Sequence, residues 1–154
     1  MLSLVLKINR LKLREEVKFE SNRFKISLIN NFIVRVEIMR HTEVTLDDMD
    51  RNMKVYESFL NGRVLPFIVV FGEFSMANRE VQKEFARKNR NKIKMMEAYV
   101  ISSLPHRIMG NFHLKFFPPK HPTKMFKTEE EAYEWIYSRN PEELEKLKVL
   151  EGVK

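Results

Sequence analysis

One run limits what this chain can become: Phe67, Ile68, Val69, Val70 and Phe71 follow one another in LPFIVVFGE, with no polar residue to turn toward water. A strand hides side chains on both faces only when layers cover both sides of its sheet, which is the situation of parallel strands in α/β domains. The segments after it fit that reading. SMANREVQKEFARKNRNKI carries Ala77, Val81, Phe85 and Ala86 at helical spacing, and MEAYVISS then offers a second short strand, so the apolar run opens a β-α-β unit.

Before this unit the period is two. VKFES and FKISLI are separated by Asn22-Arg23, and FIVRVEIM follows Asn30-Asn31, a pattern of alternating runs and short Asn-containing links that predicts an antiparallel meander. The inward face of the third run is Phe32, Val34, Val36 and Ile38 or its complement, since Ile33, Arg35, Glu37 and Met39 are the more polar set. The period then changes to that of a helix. TLDDMDRNMKVYESFLNG starts with Thr45 as N-cap and Asp48 three residues later, places Leu46, Met49, Met53, Tyr56 and Leu60 on one stripe, and stops at Asn61-Gly62.

After the β-α-β unit, Leu104, Ile108, Phe112 and Phe116 recur every four residues behind Ser103 and Pro105, predicting another helix, and the prolines of PPKHP end it. TKMF is short enough for an edge strand. TEEEAYEWIYSRNP reads as a helix with a capping box of Thr128 and Glu131 and with Ala132, Trp135 and Ile136 inward. That makes the stretch from Asn111 to Ile136 architecture, with Trp135 in the core. The last residues, EELEKLKVLEGVK, add a short, loosely packed helix. The expectation is one α/β domain over residues 1–154, with a mixed sheet flanked by about four helices, a core of about 16–137, and peripheral residues 1–13 and 140–154.

Composition removes several function classes. There is no Cys, hence no disulfide, thiolate nucleophile or zinc-thiolate site, in keeping with a cytoplasmic protein. MLSLVLKIN has no basic residue ahead of its apolar part and is too short to span a bilayer, so neither a signal peptide nor membrane insertion is expected. No P-loop, G-x-S-x-G, H-E-x-x-H or dinucleotide fingerprint occurs, and the carboxylate clusters at Asp47-Asp48 and Glu129 to Glu131 fall in first turns of helices, where the dipole accounts for them. His106 and His113 lie seven apart without a carboxylate at ligand spacing, which makes a poor metal site. The reading is therefore non-catalytic, with no cofactor and no metal.

The formal net charge is +7, and its densest part is ARKNRNKIK, where Arg87, Lys88 and Arg90 form a candidate anion-contacting patch. The patch holds no aromatic residue to stack on bases, so a nucleic-acid-binding module ranks second to a protein-interaction module.

From Glu16 to Tyr137 the order of elements resembles the STAS-like (anti-anti-sigma-factor-like) α/β domains, and RIMGNFHLKF with PTKMFKTEEEAYEWI looks like the closing segment of bacterial STAS/SEC14-type proteins. The resemblance implies a regulatory module that binds an unidentified protein partner, is compatible with a homodimer, and is switched by phosphorylation of a hydroxyl between a central strand and the next helix. In VVFGEFSMANRE that hydroxyl is Ser75, although Phe74 stands where such regulators carry Asp, with Glu73 one residue further back. The plainer role for Ser75 is an N-cap. The SEC14 part of the likeness implies a third option, a carrier for a small apolar ligand or lipid.

Overall fold

A computed structural model describes residues 13–85, 92–103, 105–107 and 119–150. Strands β1 (Glu15–Glu20), β2 (Phe24–Ile29) and β3 (Ile33–Ile38) form the expected antiparallel meander, and β5 (Leu65–Phe71), β7 (Lys94–Val100) and β8 (Thr123–Phe126) continue it in parallel. The sheet order is β1-β2-β3-β5-β7-β8. Asn30 and Asn31 both take left-handed backbone, and Phe32 N–H bonds Ile29 C=O at 3.0 Å, the mirror-image turn that matches strand twist. Two further strands escape the sequence reading: β4 (Glu43–Val44) and β6 (Met76–Ala77) pair in parallel as a separate two-stranded sheet.

Both faces of the sheet are covered, as the apolar run required. Register places Val34, Phe67 and Glu97 in one row and Val36, Val69 and Tyr99 in the next, on the side of helix α1 (Leu46–Leu60). The opposite side carries Arg35 and Ile68 and receives α3 (Glu129–Ser138) and α4 (Pro141–Leu150). The third run thus has no solvent face: Ile33 is buried, and Arg35 lies under α3, where its guanidinium donates at 2.7 and 3.2 Å to the two oxygens of Glu129 and at 2.8 Å to Glu37.

Local signals set the helix ends. Thr45 and Asp48 close a reciprocal capping box, and Asn61 ends α1 in left-handed backbone before Gly62. The buried stripe of α1 is turned from the expected one: Asp48, Asn52, Tyr56 and Leu60 are buried, while Leu46, Met49 and Met53 are only partly so. Asp48 is drawn in because Arg23 bonds it through two nitrogens, at 3.1 and 2.5 Å. Helix α2 (Arg79–Phe85) presents buried Val81, whereas Ala77 belongs to β6. Residues 105–107 begin a helix with Ser103 accepting from His106 N–H at 3.4 Å; the rest of that expected helix lies outside the described residues.

Two expectations at the C-terminal end are corrected. Trp135 is half-buried, tilted against Phe126 at 5.5 Å, and the deep positions of α3 go to Ala132, Tyr133, Ile136 and Tyr137. Thr128 accepts from Glu131 N–H at 3.3 Å, but it is Glu129 that carries the long-range ion pair. Helix α4 is also not loose, since Leu147 is buried against the core.

Candidate functional site

The carboxyl ends of parallel strands are where open α/β sheets place their sites, because the connecting loops diverge there. Here the loops after β3 and β5 lock together. Gly72 N–H bonds Ile38 C=O at 2.8 Å, His41 N–H bonds Glu73 C=O at 2.9 Å, and Met76 N–H bonds Thr42 C=O at 2.9 Å. The approach is so close that a Cβ on residue 72 would lie 2.5 Å from the Ile38 carbonyl oxygen and 2.6 Å from the Arg40 nitrogen, so only glycine fits. This contact between residues 38–42 and 72–76 creates the β4–β6 pair.

Two residues in this turn take left-handed backbone without being glycine: His41 at φ 62° and Phe74 at φ 60°. For a bulky side chain such a conformation costs energy and persists only where its surroundings impose it. The strain turns Phe74 outward, 60% exposed, with its ring stacked on His41 at 5.0 Å and the Arg40 guanidinium 5.9 Å from its centroid. Arg40 also pairs with Glu73 at 3.6 Å, and Met76 is 63% exposed. The result is an outward aromatic and thioether pair rimmed by Arg40, His41 and Glu73.

Ser75 sits between those two exposed side chains and points the other way. It is 5% exposed, its N–H bonds Gly72 C=O at 3.1 Å, and its Oγ has no hydrogen-bond partner among the described residues. The N-cap role expected of it belongs to Asn78, whose side-chain oxygen accepts from Val81 N–H at 2.9 Å. A buried hydroxyl without a partner costs about 1–3 kcal/mol. The turn thus stores strain at Phe74 and an unsatisfied group at the next residue.

A second polar constellation lies inside the sheet, unforeseen in the sequence. Glu97 of β7 is 0% exposed, with Lys94 Nζ at 2.7 Å, Tyr99 Oη at 3.2 Å and His121 Nε2 at 3.2 Å. Burial opposes charge on Glu97, but the Lys94 ammonium and the bonds from His121 and Lys94 outweigh it and hold the carboxyl down at about 2. Tyr99 is pushed well above its ordinary range by burial and by this carboxylate. The signal available in the sequence was only a Lys-x-x-Glu spacing within a strand, which puts side chains of opposite parity on opposite faces; the pairing depends on how the chain enters β7.

Of the other residues singled out, Arg87, Lys88, Arg90 and His113 lie outside the described residues. His106 is partly buried at the start of its helix. Among the described residues no three His, Asp or Glu side chains converge as a metal site, and no helix is long and apolar enough to cross a membrane.

Residues 26–140 match the family model described as Domain of unknown function (DUF7793). The chain belongs to the DUF7793 family. No curated protein matches it. Among solved structures it is similar to the crystal structure of an uncharacterized DUF3478-family protein with a SpoIIAA-like fold from Shewanella loihica PV-4, at 12% identity and a TM-score of 0.50, over 82% of this chain and 94% of that one. This DUF7793 chain therefore has a SpoIIAA-like α/β fold, with the antiparallel meander leading into parallel strands.

Proposed function

We propose that this DUF7793 chain is a non-catalytic protein-interaction module of STAS type, and that the turn Gly72–Ala77 with Arg40 and His41 is its contact surface. The observation that carries this reading is Phe74, a bulky side chain held in left-handed backbone and displayed to solvent beside Met76. Exposed aromatic and Met side chains with an Arg at the edge have the composition of interface centres. A strained backbone that serves only to expose a hydrophobic side chain has no benefit to the isolated fold.

Ser75 fits as the switch of this surface. Its hydroxyl is buried, so a phosphate cannot be accommodated in the present turn and would have to open it, withdrawing Phe74 and Met76 from their positions. The Asn78 side chain, three residues past Ser75, already caps α2 at the Val81 N–H, which leaves a phosphate at Ser75 little help from that helix. The modification would act by rearranging the surface.

The experiment is partner capture from extract of the native cell, with mass spectrometry of both the partners and the Ser75 peptide. Phe74→Ala and Ser75→Asp are expected to lose the same partner, and Ser75→Ala to keep it, with Phe74→Ala melting near the wild type, since alanine is also disfavoured in left-handed backbone, and Ser75→Ala melting at or slightly above it because a buried hydroxyl is removed. Equal capture by all four proteins rules out this turn as the contact surface. Salt-sensitive binding of oligonucleotides, lost on reversing Arg87, Lys88 and Arg90, would instead support the nucleic-acid reading.

A further inference from the structure

Between α1 and the sheet the chain leaves a cavity of about 50 Å³. One water needs about 10–15 Å³ of such space, and an engineered apolar cavity of about 150 Å³ accepts benzene, so this one is scaled to a few heavy atoms. Val36, Phe67 and Val69 of the sheet face Met49 and Met53 of α1 across it. Three of the lining side chains carry polar groups, the Asn52 amide, the Tyr56 phenol and the Lys94 ammonium.

We propose that this cavity is a binding site for a small neutral amphiphile, an alkyl body of up to about four carbons carrying one hydroxyl or carbonyl group, the longer of which enter as Met49 and Met53 move aside. The wall selects the body. It is apolar, and its two methionines are unbranched and adapt to a guest at small cost. The polar end selects the head by charge. Lys94 lies 2.7 Å from the fully buried Glu97 and its ammonium is 5.4 Å from the Phe67 ring centroid, so the charge at the cavity's end is already balanced. An anionic head would meet Glu97 behind Lys94, and a cationic head would be repelled by Lys94 itself, each beside a buried ion pair. A neutral head avoids both costs, and the buried Asn52 amide offers it a donor and an acceptor.

The site is placed to influence the turn described above. Val44 lines the cavity and belongs to β4, where it pairs with Ala77 of β6, two residues beyond Ser75. The binding site itself does not depend on the function proposed for that turn.

The test uses the full chain labelled with ¹³C at the methionine methyls, titrated with 1-butanol, butyrate and butylammonium, which share one chain and differ in head. Saturable shifts confined to the Met49 and Met53 methyls are expected for 1-butanol, with the two ions binding about tenfold more weakly or worse. Asn52→Leu should weaken 1-butanol on the order of tenfold, as loss of its hydrogen bond implies. Val36→Ile, which extends a side chain into the space and keeps the fold, should weaken all binding. No saturable shift at these methyls in the wild type, or butyrate binding as tightly as 1-butanol, or both variants binding like the wild type, overturns the proposal.

Discussion

The two faces of one sheet are filled in different ways. Under α3 the rings and aliphatic groups interlock, with Tyr133, Ile136 and Tyr137 buried, Phe32 tilted on Tyr137 at 6.0 Å, and the Arg35–Glu129 pair closing the rim. Under α1 the helix brings Asp48 and Asn52 to the sheet, a cavity remains, and the row beside Phe67 carries a buried carboxylate. Natural interiors are close-packed, and each departure costs stability. The α3 side is expected to carry more of the stability, with the proposed ligand cavity on the α1 side, and mutation can break that comparison.

The largest effect should come from the close-packed face. Tyr137→Ala removes a ring that is 1% exposed and loses the 3.0 Å bond from Asn30, and urea unfolding should show a loss of about 3–5 kcal/mol. Met53→Ala on the other face, at a half-buried side chain beside existing space, should lose about half that or less. Equal losses would mean that the two faces are packed alike.

The next effect belongs to the buried ion pair. Glu97→Gln leaves Lys94 buried against a neutral partner and should destabilise by about 3 kcal/mol. The sign with pH follows from the lowered carboxyl: its folded value of about 2 lies below the ordinary 4.5, so its stabilisation is complete above about 4.5 and is lost as pH falls from there through about 2. Denaturant midpoints of the wild type should drop steeply across that window, and those of Glu97→Gln should drop less. Parallel slopes in the two proteins would remove Glu97 as the source.

Smaller effects sharpen the comparison at the helix starts and at Trp135. Trp135→Ala, at the edge of the α3 layer, should cost about 1–2 kcal/mol instead of the value for a fully buried ring. Thr45→Ala, which opens a reciprocal capping box held also by Arg23, should cost about 1–2 kcal/mol, and Thr128→Ala, which removes one 3.3 Å bond, about 0.5 kcal/mol. Thermal melts of the three variants in one buffer give the order.

Most elements and their order could be read along the chain, β4 and β6 excepted. Consecutive apolar residues from Phe67 to Phe71 required a strand covered on both sides, Thr45 and Asp48 marked a helix start, and Asn30-Asn31 marked a tight turn, because each is settled by neighbours within one or two turns of chain. The sequence also marked the stretch around Ser75 as a place of interest, but only through resemblance. What that stretch does was decided by tertiary contacts: the loop after β3 holds the loop after β5, forces Phe74 outward, buries Ser75 and passes the cap to Asn78. The same holds for the charges. Arg35 and Glu129 are 94 residues apart and Glu97 and His121 are 24 apart, and nothing local distinguishes them from solvated residues. Backbone preferences and periodicity are short-ranged and can be read along the chain, whereas burial, strain and pairing belong to surfaces that exist only after distant segments have packed.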